Sequence, residues 1–89
     1  LDQAQAALEE QVAGAPDNGL AWEYLAMIHL RRARAANSRA AALEKLERAD
    51  DASQRASAWD PGRAHPYCLR FEVALARIGL REGRTSPMP

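Results

Sequence analysis

The chain contains two histidines and one cysteine, His29, His65 and Cys68, the side chains best suited to metal binding or nucleophilic chemistry. His65-x-x-Cys68 places two ligand types on one face of a helix. A zinc site needs at least three protein ligands, and no second pair at matching spacing exists. A reactive thiol needs a base or cation beside it to form the thiolate, and none is visible near Cys68. His29 lies in the apolar run Ala21–Leu30 with no carboxylate or cysteine three or four positions away. It reads as a hydrogen-bonded packing residue. There is also no phosphate loop, no paired catalytic carboxylate motif and no Ser-His arrangement. The expectation is a protein without catalytic activity, metal or cofactor.

A second chemical feature follows His29. Arg31, Arg32, Arg34 and Arg39 place four guanidiniums within nine residues. They suit an acidic protein segment or a phosphate group. They also suit a solvated helix end, where cations offset the dipole. Nucleic acid is not expected as a partner. No aromatic residue interleaves the arginines, and twelve Lys and Arg balance twelve Asp and Glu, leaving no broad positive field. No apolar run approaches the roughly 20 residues of a membrane-spanning helix. A single cysteine precludes an internal disulfide and suits a reducing compartment, so a cytoplasmic location is expected for this segment, which can be a piece of a longer chain.

These residues must be carried by helices. Alanine, leucine, glutamate and arginine dominate, all good helix formers, and period-2 alternation is missing. Four helices are predicted: Asp2–Ala13, Gly19–Ala35, Ser38–Trp59 and Pro66–Glu82. The first carries the stripe Leu1, Ala4, Leu8 and Val12 and is stopped at Gly14 and Pro16. Asp17 or Asn18 caps the second and Ser38 the third. The third has the stripe Leu43, Leu46, Ala49, Ala52 or Ser53, Ala56 and Trp59. Glu44–Arg48 and Asp51–Arg55 are i,i+4 pairs in the favourable order. Asp60 before Pro61 ends it. The fourth has Pro66 in its first turn and the stripe Tyr67, Phe71, Ala74, Leu75 and Ile78. A single domain over residues 1–82 is expected, with 83–89 a disordered tail.

Pro16 and Pro61 lie 45 residues apart, each between two helices and each followed six residues later by an aromatic, Trp22 or Tyr67. Such self-similarity marks stacked hairpins. Trp22-x-x-Leu25-Ala26-x-x-His29 and Ala49-x3-Ser53-x2-Ala56-x4-Pro61 resemble the two helices of the tetratricopeptide repeat (TPR). Ser53 replaces an aromatic, and Arg70 and Phe71 replace the Leu and small residue expected after Tyr67. Only one repeat is complete, and it exceeds the usual length of about 34 residues by about eleven. Eleven residues make about three helical turns, so the extra length can extend both arms without rotating their apolar faces.

The resemblance implies an all-α fold of four antiparallel helices stacked as TPR-like hairpins. It also implies a non-catalytic module that binds a peptide or amphipathic helix of another protein, as a chaperone, adaptor or assembly subunit. Carried over position by position, the concave face comprises Leu20, Glu23, Met27, Leu30 and Arg31, with Cys68, Glu72 and Leu75 from the next first-helix. Arg34 joins them from the cationic cluster. The family's clamp for C-terminal carboxylates needs Lys and Asn where this chain has Glu23 and Met27, so that mode is not expected. The alternative is a self-associating scaffold segment of a larger protein, with the same apolar face covered by a second copy.

Overall fold

The computed structural model describes residues 2–81, all of them in helices or short connections. The helices are α1 (Asp2–Gly14), α2 (Gly19–Arg34), α3 (Arg39–Trp59) and α4 (His65–Arg81). The sequence pattern placed their ends within about a residue because the local signals are strong. Asn18 Oδ1 accepts from the Ala21 amide at 3.1 Å, and Ser38 Oγ accepts from the Ala41 amide at 3.1 Å. Glu82 and the tail expected at 83–89 lie outside the described residues, as does Leu1.

Successive helices run antiparallel, as their cross-links show. Asp2 at the start of α1 pairs with Arg32 near the end of α2. Arg55, late in α3, sits 4.9 Å from the ring centre of Trp22, early in α2. Arg77, late in α4, reaches Asp50 of α3 at 3.4 Å. The connection from Arg34 to Arg39 is short, so the extra length between Leu30 and Ala49 is helix on both arms.

The α2–α3 hairpin is closed by small side chains. Ala26, Ala49, Ser53 and Ala56 are wholly inaccessible, with Leu25 and Leu46 filling the space beside them. Small residues let the helix backbones approach, and Leu46 supplies the volume. Ser53 and Ser57 would be poor core residues with free hydroxyls. Each instead donates to the carbonyl one turn back, to Asp50 O at 3.0 Å and to Gln54 O at 2.9 Å. Gly19 is buried under the Trp59 indole, and a Cβ there would collide with the ring carbons.

The α4 stripe corrects the sequence expectation. Pro66, Leu69, Val73 and Leu80 are buried, while Tyr67, Phe71, Leu75 and Ile78 are exposed. Both sets have helical spacing, and the larger side chains were expected inside. The smaller, branched set packs instead in the cluster that holds Ala49 and Ala52 of α3, which has room for close approach and not for aromatic rings. The described molecule measures 40 × 29 × 17 Å, with a radius of gyration of 13.2 Å. A compact domain of this length would have about 12 Å. The helices therefore form a thin slab, with α4 at its end.

Candidate functional site

The residues expected on one concave face are distributed over several places. Glu23 and Leu30 are buried, at 4% and 3% exposure, and so cannot line an open surface. Leu20 and Cys68 are exposed and lie outside both of the grooves that hold the others. Met27 and Arg31 line a shallow groove between α1 and α2, with Leu8, Tyr24 and Ile28. Arg34, Glu72 and Leu75 line a second groove, between the α2–α3 turn and the C-terminal half of α4. The structure thus assembles Arg34, Glu72 and Leu75 and separates them from Met27 and Arg31.

Glu23 has a structural task that its position in the pattern did not reveal. Its Oε1 accepts from Arg63 at 2.9 and 3.2 Å, and its Oε2 accepts from Arg63 at 3.1 Å and lies 2.7 Å from His65 Nδ1. An ionised carboxylate only accepts, so His65 Nδ1 donates. Burial alone would push the Glu23 carboxyl up, but hydrogen bonds from His65 and Arg63 and the charge of Arg63 outweigh it and hold the group below the usual carboxylate range. The arrangement clasps the start of α4 to the start of α2. In the sequence His65 stood out only through its spacing to Cys68; the structure gives it Glu23 as its hydrogen-bond partner. No group of three metal-binding side chains occurs among the described residues.

His29 is buried, at 5% exposure, and its Nδ1 has no partner, so it packs without the hydrogen bond expected of it. Burial holds its pKa below the ordinary histidine value; the cations Arg48, Lys45 and Arg32 add to this and Glu9 opposes it. It is held as a neutral ring.

What the structure adds is the outer face of α4. Tyr67, Phe71, Leu75 and Ile78 recur at spacings of four, four and three, and Phe71 is 66% exposed. The sequence pattern set all four in the apolar stripe of α4 and gave only Leu75 a place on the partner-binding face as well. The signal that could have corrected this is the second apolar set, Leu69, Val73, Ala76 and Leu80, at the same period. Arg63, never singled out, is the other residue missed. It stands 40 positions from Glu23, beyond the reach of any local pattern.

The chain matches no family model, no curated protein and no solved structure. No described helix is long and apolar enough to cross a membrane.

Proposed function

We propose that this domain is a non-catalytic, TPR-like protein-interaction module that holds an amphipathic helix of a partner protein, in the manner of an adaptor, chaperone or assembly subunit. The observation that carries this reading is the outward stripe of α4. Four large apolar side chains in line expose on the order of 400 Å², the size at which a contiguous patch marks an interaction site. A helix partner would read such a stripe through anchors at i, i+3, i+4 and i+7. The TPR likeness is supported by the packing of Trp22, Leu25, Ala26 and Ala56 between adjacent helices, and α4 stands where a further hairpin would begin.

The test is capture of the native partner on immobilised domain. Phe71→Asp with Ile78→Asp should abolish capture and leave the helical circular dichroism unchanged. Capture that survives both substitutions would remove the α4 surface from consideration. Self-association through the same stripe is the second reading, and sedimentation over a range of concentrations decides it. A monomer at all concentrations would exclude it.

A further inference from the structure

The groove at the hairpin turn is distinct from the outward α4 stripe, sharing only Leu75 with it. Its floor is apolar: Ala33, Ala42, Leu46, Ala76 and Leu80. Arg34 and Arg39 are exposed on its rim, and among the described residues neither forms an ion pair. The N-terminus of α3, capped by Ser38, opens on the same rim and adds the positive end of a 21-residue helix. The rim is therefore cationic above an apolar base, with Glu72 on the opposite wall.

We infer that this groove seats an amphipathic α-helix of a partner protein, apolar face down, with Asp or Glu side chains at the end that meets Arg34 and Arg39. The inference rests on the reading of the domain as a protein-interaction module, not on the α4 stripe, and assigns a second surface with the chemistry of the helix it takes. A helix fits better than an extended segment. The described residues offer no strand edge, so an extended chain would bury backbone donors and acceptors unpaired, whereas a helix satisfies its own. A second copy of this chain fits poorly. Its α4 carries Arg70 against a single acidic residue, Glu72, with Arg77 already paired to Asp50, and so offers the rim no net negative charge. Its α1 is acidic, but the apolar side chains Leu8 and Val12 already pack against the rest of the chain, leaving only alanines outward.

The experiment is a displayed library of amphipathic helices with a constant apolar face and randomised flanking positions. It is selected on the intact chain and on the double variant Arg34→Glu, Arg39→Glu, both checked for equal helical circular dichroism. On the wild-type chain, Asp and Glu should outnumber Lys and Arg at one flank by about tenfold, an effect that high salt weakens. On the double variant the preference should invert. Helices enriched without charge preference, the same preference on both baits, or no enrichment on either would overturn the inference. Enrichment that survives the double variant but is lost with Phe71→Asp places the partner on the α4 stripe; the groove inference then fails while the protein-binding reading stands. A concentration-dependent dimer that Arg34→Glu, Arg39→Glu dissolves would make a second copy the occupant and likewise overturn it.

Discussion

Helices α2 and α4 begin alike and end in different situations. Each follows a proline-containing turn, and each places an aromatic six residues after that proline. Yet α2 is packed between α1 and α3, with α4 touching its start, and nine of its sixteen residues are buried. α4 leans on α3 along one face and turns an equally regular apolar face outward. The same local composition can thus serve as core in one helix and as surface in the next. Position in the stack decides, because an end helix has one neighbour fewer.

The contrast can be broken most severely from the α2–α3 side. Leu46→Ala removes a fully buried side chain in an interface whose other members, Leu25 apart, are too small to close the gap, and should lower stability by about 2–5 kcal/mol in chemical denaturation. Gly19→Ala should cost about 1–3 kcal/mol by forcing the Trp59 indole off the helix start. In a Trp59→Ala background the same substitution should cost less than in the wild-type chain, and equal costs would show that the ring does not set the constraint. Glu23→Gln tests the polar clasp between the starts of α2 and α4 and should cost about 1–2 kcal/mol, the low end for a lost buried acceptor because Arg63 and His65 are half-exposed and can be solvated.

Acid should act on α2 in two stages. His29 is held below its unfolded value near 6.5, so below that pH the unfolded chain takes up a proton that the folded chain resists. Stability is complete above that pH and declines as the pH falls through it. Glu23 is held below its unfolded value near 4.5, and its contribution is lost in turn as pH falls beneath that. Thermal melts against pH should show both declines, with His29→Leu removing the upper and Glu23→Gln the lower. The smallest effect belongs to the outer face of α4. Phe71→Ala should change stability by no more than about 0.5 kcal/mol, and a larger loss would mean that this face is already covered.

Most of the fold was legible because its signals are local. Asn18 and Ser38 cap where caps were expected, and the prolines fall where chains must turn. The all-α architecture and the hairpin of α2 and α3 followed from the spacing of Leu25, Ala26, Ala49 and Ala56. The register of α4 was not legible, since a helix with two apolar stripes of equal period carries no mark of which one will be covered. Glu23 was misplaced for a related reason. Repeat position assigned it to an open face, whereas two partners from a distant turn fold over it. Of the assigned surface, Arg34, Glu72 and Leu75 share a groove, but as the meeting of the α2–α3 turn with the end of α4, which neither repeat position nor the arginine cluster indicated.

The two tryptophans give the molecule an uneven optical voice. Trp22, with its Nε1 donating to Pro16 O at 2.8 Å and a guanidinium on its face, and Trp59, lying over Gly19, both stand at the α2 start. The end of α2 at Arg34, where the hairpin turn begins, is roughly 18 Å along the helix from Trp22, at about 1.5 Å per residue. Intrinsic fluorescence will therefore report opening of the Pro16 and Pro61 end and stay nearly silent when the far turn frays or takes a ligand. Events there need a label of their own.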